Sequence, residues 1–375
     1  MSGKHELNHG AYARRVRRFL GTRRGALAAA GFLVLTIGVI AAWLVWWSSP
    51  ALAAKVTGNE LVDSQGQPIR LLGVDFSGAE YACIEDLGIF AGPTDKHAVA
   101  AMASWDINAV RLPLNEDCWL GINGAPERYS GARYRAAIQQ LVVQLNNAGL
   151  YVIMDLHWNA PGTAQAIGQQ PMADLDHAPA FWSSVARAFA GDPAVIFDLY
   201  NEPHDISWQC WRDGCVLPEG WRAAGMQALV DAVRSTGAGQ PIIAAGVDWG
   251  NDLSSWLQFR PHDPANQLVA GLHVYNDLHC ATITCWNYDV KPLARTVPVV
   301  VGELGDKACS SAFVRSFMNW ADSVDVSYLG WSWNPSGCAG PGLISSWDGQ
   351  PTAYGAVMRE HIVGLRAHGR PPDNS

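Results

Sequence analysis

Eight short apolar runs recur along this chain, separated by stretches with helical spacing, and that alternation restricts the architecture more than any other feature. The runs are Arg70 to Phe76, Ala109 to Leu114, Tyr151 to Trp158, Ala194 to Asn201, Pro241 to Gly246, Leu268 to Tyr275, Val297 to Glu303 and Val326 to Trp333. Between them, Tyr134 to Gly149 and Trp221 to Gly237 place apolar residues three and four apart and stop at Gly, as amphipathic helices do. Strand alternating with helix implies βα units and a parallel sheet, and the unbroken apolar character of the runs implies burial on both faces. The expected fold is therefore α/β, a closed (β/α)8 TIM barrel. A doubly wound open sheet is the alternative, but no G-x-G-x-x-G follows the first run.

Nearly half of the 375 residues are hydrophobic and 16% are charged, which supports a large core and excludes a disordered chain. The chain reads as a basic cytoplasmic segment over 1–24, a transmembrane or signal-anchor helix over 25–47, a linker over 48–55, one barrel domain over 56–366 and a disordered tail over 367–375. From Gly25 to Trp47 there is no charge, and a helix rising ~1.5 Å per residue roughly matches a ~30 Å hydrocarbon core over that length. Arginines precede it, so the positive-inside rule sends everything downstream across the membrane. Ala51, Leu52 and Ala53 offer a cleavage pattern, but the run exceeds the ~7 to 15 residues of an ordinary signal core, so an uncleaved anchor is preferred to secretion after about Ala53. A twin-arginine signal at Thr22 to Arg24 and a buried core helix are weaker readings.

The first fifty residues hold seven of the 26 Lys and Arg but one of the 34 acids, so the barrel domain is acidic. That excludes nucleic acid as a partner, because phosphate binding draws on clustered bases. All eight cysteines follow the apolar segment: Cys83, Cys118, Cys210, Cys215, Cys280, Cys285, Cys309 and Cys338. An even number in an exported chain reads as disulfides, and Cys210 with Cys215 and Cys280 with Cys285 would each close a small loop. The pairing of the rest is open from sequence; Cys83 with Cys118 and Cys309 with Cys338 is preferred. A zinc site using His279 beside Cys280 is the rival, but the two C-x4-C spacings lie far apart without a histidine partner pattern, and no metal or cofactor is expected.

Barrel enzymes carry their chemistry at the carboxyl ends of the strands. The polar residues there are Arg111, Asp155, His157, Asn201, Glu202, His273, Tyr275 and Glu303, with Trp331 and Trp333 leaving the last run. Cleaving a glycosidic bond with retention needs one carboxylic acid and one carboxylate roughly 5 to 5.5 Å apart, and glutamates ending strands four and seven face each other across a barrel mouth. Arg111 and Tyr275 would hold Glu303 ionised, while burial without a cation would keep Glu202 protonated. Asn201 is placed to bond a sugar 2-hydroxyl. Each has a plainer role available: Arg111 pairing a structural carboxylate, His157 and His273 satisfied in the core, Glu303 capping a helix. So many polar groups ending apolar strands would be costly to bury without a function. Indole faces stack on pyranose rings; Trp331 is the preferred platform, with Trp158 and Trp333 as further ones, Trp119 and Trp249 in loops on the same side, and Trp182 in the core.

These segments resemble glycoside hydrolase family 5, from about Leu71 to Val363, most specifically through LYNEPH (Leu199 to His204) and VVVGELG (Val299 to Gly305). The resemblance implies a retaining β-glycoside hydrolase with Glu202 as acid/base and Glu303 as nucleophile. Arg111 in VRLPLNED, His157 in DLHW, Asn201, His273 and Tyr275 in HVY, and Trp331 in YLGWSWN fill the family's remaining site positions. An endo-β-1,4-glucanase acting on a β-linked polysaccharide or oligosaccharide is expected, as a monomer, with a mannanase or another β-glycanase as the alternative. The loops over 115–124, 160–177 and 204–219 would separate those substrates. Readings from other classes are a membrane-tethered carbohydrate-binding protein without catalysis and a metal-dependent hydrolase using His157 and His273.

Overall fold

The computed structural model describes residues 52–308, 310–338 and 340–368. Each of the eight runs forms one parallel strand: β1 (Leu72–Asp75), β2 (Ala109–Asn115), β3 (Tyr151–Trp158), β4 (Val195–Asp198), β5 (Ile242–Ala245), β6 (Leu268–Tyr275), β7 (Val299–Gly305) and β8 (Ser327–Gly330). They pair in sequence order and close on themselves, β8 with β1, which excludes the open sheet. The apolar segment over 25–47 and the tail from residue 369 lie outside the described residues. Among the described residues no helix is long and apolar enough to cross a membrane.

Side chains alternate across a strand, so a run that is apolar at every position buries two faces. Ile153, Ile196, Ile243, Val269, Val300 and Leu329 fill the barrel interior as one cluster. Their neighbours Val152, Met154, Val195, Phe197, Ile242 and Val301 belong to the larger cluster between strands and helices. A small antiparallel sheet (Lys55–Thr57, Glu60–Val62, Pro68–Ile69) closes the amino-terminal end, with Ala54 and Leu61 joining the interior cluster. Ala53 and Ala54, assigned to a linker from sequence, are buried: the Tyr151 hydroxyl donates to the Ala53 carbonyl at 3.2 Å, and Ala54 N–H to the Pro193 carbonyl at 2.9 Å.

The principal outer helices are α1 (Lys96–Ala103), α2 (Ala132–Asn147), α3 (Ala178–Phe189), α4 (Gly225–Arg234), α5 (Ser311–Asp322) and α6 (Ala353–His368). In α2, Tyr134, Ile138, Leu141, Val142 and Leu145 are buried, the three-and-four spacing read in the sequence. Helix α4 begins at Gly225 rather than Trp221, because Arg222 and Ala223 are taken up in bridges with Val216 and Asp174. Trp182 lies in the core as expected, its indole N–H donating to the Leu199 carbonyl at 2.9 Å. Trp119, expected in a loop on the site's side, is fully buried in the short helix Glu116–Leu120 and donates to Ser184.

Disulfides join Cys83 to Cys118, Cys210 to Cys215 and Cys280 to Cys285, as anticipated. Cys338 is also disulfide-bonded, while Cys309 lies outside the described residues. The Cys83–Cys118 bond closes a loop of 35 residues against 5 for Cys210–Cys215. Chain entropy makes the longer loop worth about 4 kcal/mol and the shorter about 2. Replacing Cys83 and Cys118 together by Ala should therefore lower the urea midpoint more than the same change at Cys210 and Cys215.

Candidate active site

The carboxyl ends of the strands gather one buried cation and a ring of acids. Arg111, at the centre of β2, is completely buried. Its Nε donates to Asp198 Oδ2 at 2.9 Å, and its Nη1 to Asp75 Oδ1 at 3.0 Å and Glu303 Oε1 at 2.9 Å. Its Nη2 donates to Asn201 Oδ1 at 2.7 Å and lies 3.2 Å from Asp155 Oδ2. One guanidinium thus faces four carboxyl groups. Burial raises Asp75 well above the usual carboxylate range and Asp198 to about 7, with Arg111 offsetting part of each shift. For His157, burial acts downward, but the Asp155 carboxylate 2.6 Å from Nδ1 outweighs it and the imidazole is raised.

Glu303 and Glu202 meet different surroundings. Glu303, on β7, accepts from Arg111 through Oε1 and from the Tyr275 hydroxyl through Oε2 at 2.6 Å. Glu202, four residues beyond the end of β4, has no guanidinium partner; its Oε1 lies 2.9 Å from His273 Nδ1. Burial raises the Glu202 carboxyl, against weaker opposing effects from His157 and Arg111. Burial also pushes His273 down to about 4, so that imidazole is neutral near pH 7. His273 Nδ1 is 3.7 Å from Glu303 Oε2, and one carboxylate oxygen of each glutamate lies within 4.8 Å of the other.

Local backbone irregularity aims these groups. Between β6 and β7 the register runs Val301 with Leu272 and then Glu303 with His273, leaving Gly302 as an extra residue. Such a bulge redirects the side chain that follows it, here the Glu303 carboxylate. A Cβ on Gly302 would sit 3.0 Å from His273 Nε2 and 3.5 Å from Arg111 Nε, so glycine leaves room for both. A second shift, between β2 and β3, leaves His157 as the extra residue. Gln169, from the loop after β3, supports the other glutamate: its amide donates to the Glu202 carbonyl at 2.7 Å, and its oxygen accepts from Asn201 at 2.8 Å.

Above the glutamates lies a cleft of about 360 Å³ lined by His157, Asn201, Trp249, Tyr275, Lys307 and Trp331, among others. Trp331 stacks on His157 with ring centroids 5.4 Å apart. Trp249 stacks on His204 at 3.7 Å and is 40% exposed, leaving one indole face open. Trp333 is not a platform: it is fully buried, edge-on to Trp105 at 4.9 Å, because the chain leaves β8 at Gly330 and turns inward. Trp158 is half-buried beside Tyr81 and does not line the cleft. The structure thus brings together Arg111, His157, Asn201, Glu202, His273, Tyr275, Glu303 and Trp331. Sequence reasoning missed Asp75, Asp198, Gln169 and Lys307; for the two aspartates the signal was an acid inside an otherwise apolar run.

Glu202, His273 and Glu303 are close enough together to hold a cation. The Arg111 guanidinium already occupies one side of Glu303 and Tyr275 the other. A second positive charge there would face a buried cation.

A sequence model of the cellulase family, glycosyl hydrolase family 5, matches residues 62–337, and the chain belongs to that family. It is 29% identical over 243 residues to endoglucanase 1 of Saitozyma flava, covering 61% of this chain and 66% of that protein. It is 25% identical over 324 residues to endoglucanase CelA of Streptomyces lividans, covering 82% and 63%. The same organism's mannan endo-1,4-β-mannosidase is 22% identical over 324 residues, covering 80% and 73%. The chain thus spans about two thirds of the length of these curated relatives. A β-glucanase from Saccharophagus degradans solved in complex with cellotetraose superposes with a TM-score of 0.65 at 19% identity, covering 86% of this chain and 99% of that one, a likeness of fold.

Arg111 is the shared partner of four acids, so removing it strands buried negative charge. Arg111→Met should cost on the order of 3–5 kcal/mol in urea denaturation. Arg111→Lys, which keeps the charge but not the fork of donors, should lose less.

Proposed function

We propose that the chain is a retaining β-glycoside hydrolase, an endo-β-1,4-glucanase, in which Glu303 attacks the anomeric carbon and Glu202 protonates the leaving oxygen. The observation that carries this is the close pair of carboxyl groups in unlike settings. Retaining enzymes hold theirs about 5–5.5 Å apart, inverting ones about 6.5–9.5 Å. Here one oxygen of each lies within 4.8 Å of the other. Two donors on Glu303, Arg111 Nη1 and the Tyr275 hydroxyl, fix the orientation of its carboxyl group. Desolvation with no cation in contact favours a protonated Glu202. After a glycosyl ester forms on Glu303, the ionised Glu202 takes a proton from water, which opens the ester and restores both residues.

Asn201 stands beside the acid with its amide held by Arg111 and Gln169, suited to a sugar 2-hydroxyl. Trp331 supplies an aromatic face at the cleft. The endoglucanase relatives support glucan as the sugar. The mannanase relative supports β-1,4-mannan as the second reading.

The location proposed is outside the cytoplasm, tethered by the apolar segment over 25–47, kept uncleaved. The hydrogen bond from Tyr151 to the Ala53 carbonyl supports retention of the chain before Ala54, since cleavage there would remove the acceptor. Recovery of the intact amino terminus from washed membranes is the expected result; a soluble form beginning at Ala54 would contradict it.

Reducing-end release from carboxymethylcellulose, mannan, xylan and β-1,3-glucan identifies the sugar, with carboxymethylcellulose expected to be cleaved fastest. Glu303→Gln should abolish turnover on every polymer. Glu202→Gln should lose roughly 10²–10⁴-fold on polymers but much less on an aryl glycoside whose leaving group needs no proton. Equal activity in wild type and both variants would leave a carbohydrate-binding protein without catalysis. Because burial raises Glu202, its proton persists to higher pH than on an exposed glutamate, and the rate falls only above that raised value. This basic limb of kcat/KM should disappear in Glu202→Gln assayed on the aryl glycoside.

A further inference from the structure

We propose that Glu116, Asp174, His177 and the Ala160 carbonyl form a binding site for one divalent cation at the base of the loop over 160–177. Glu116 opens the short helix after β2, Ala160 follows β3, and Asp174 and His177 lie where the loop returns to α3. One ligand atom from each of Glu116, Asp174 and His177 falls within 4.8 Å of the others. His177 Nδ1 is 3.9 Å from Glu116 Oε1, 3.5 Å from Asp174 Oδ1 and 3.4 Å from the Ala160 carbonyl oxygen. Donors arranged tetrahedrally around an ion with bonds of about 2.1 Å stand roughly 3.4 Å apart, so small adjustments complete the shell.

A second observation points into the same space. Glu116 is completely buried, and neither of its carboxylate oxygens meets a well-aligned donor; the Asp174 carboxyl group and the Ala160 backbone lie beside it. Such a group is strongly disfavoured unless a proton or a cation compensates it. Asp174, equally buried, has Oδ2 fixed by Asn159 at 2.9 Å, while its Oδ1 accepts from the His177 backbone N–H at 2.7 Å and lies 3.5 Å from His177 Nδ1. Among the described residues, the only basic side chain paired with Glu116 or Asp174 is His177. Its side chain is 23% exposed, which gives an ion a route in.

The donor set names the class of ion. Two carboxylates, one carbonyl and one imidazole suit Zn²⁺ or Mn²⁺, whereas Ca²⁺ takes about 6–8 oxygen ligands. An ion there would tie the beginning of the loop, at Ala160, to its end, at Asp174 and His177. That loop carries Gln169, which holds both Asn201 and the Glu202 backbone. The cation is thus a staple for the loop that frames the catalytic acid, with no part in the chemistry.

The test uses the intact, tag-free chain, stripped with a chelator and dialysed, then titrated calorimetrically with Zn²⁺, Mn²⁺ and Ca²⁺ alongside thermal melts. One Zn²⁺ or Mn²⁺ per chain at micromolar or tighter affinity is expected, with a rise of several degrees in melting temperature and a weaker response to Ca²⁺. Glu116→Gln and His177→Ala should each abolish both effects; His177 is partly exposed, so its variant stays interpretable if Glu116→Gln does not fold. No saturable binding by any of the ions would overturn the proposal and leave Glu116 and Asp174 sharing a proton. Binding that persists unchanged in His177→Ala would overturn it as well, the ion then being held by unrelated surface groups.

Discussion

One fully buried guanidinium organises the upper end of this barrel. Arg111 reaches from β2 to acids on β1, β3, β4 and β7, so the strand ends are held in mutual register by one planar fork of donors. Burying a charge this deeply is tolerable only because every face of it is met by an acceptor. The acids in turn depend on it: burial raises Asp75 and Asp198 above the usual carboxylate range, and Arg111 offsets part of each shift. The small residue Gly302 is a consequence, since a larger one would press on Arg111 and His273.

That network separates the two glutamates without any difference in their intrinsic chemistry. Glu303 touches the cation and a phenol; Glu202 touches a histidine whose burial keeps it neutral. The two carboxyl groups therefore meet unlike surroundings although one oxygen of each lies within 4.8 Å of the other. Opposite them, Trp331 and Trp249 present aromatic faces that an uncharged sugar can use, which agrees with the acidic character of the barrel domain.

The barrel was legible because its strands are largely apolar on both faces and its helices at every third or fourth position, two patterns that little else produces. The cluster was legible where a polar residue lies towards the end of an apolar run, as with Tyr275 and Glu303. Trp333 misled for a physical reason: the alternation that pairs it with Trp331 holds only while the strand continues, and β8 stops at Gly330. Trp119 misled because a five-residue helix buries it where a loop was expected. Asp75 and Asp198 went unread because a single acid in a strand does not reveal that another strand supplies its cation. Glu116 and His177 lie far apart in sequence, and only the folded loop brings them together.

The central claim is that Arg111 and Tyr275 make Glu303, rather than Glu202, the residue that bonds to the sugar. Incubation with an activated 2-deoxy-2-fluoro cellobioside, followed by proteolysis and mass spectrometry, tests it directly, because the fluorine slows both formation and release of a glycosyl ester while the activated leaving group restores formation alone. A single disaccharide label on the peptide bearing Glu303 is the expected result. A label on Glu202, or release of product with inverted anomeric configuration and no label at all, would contradict it.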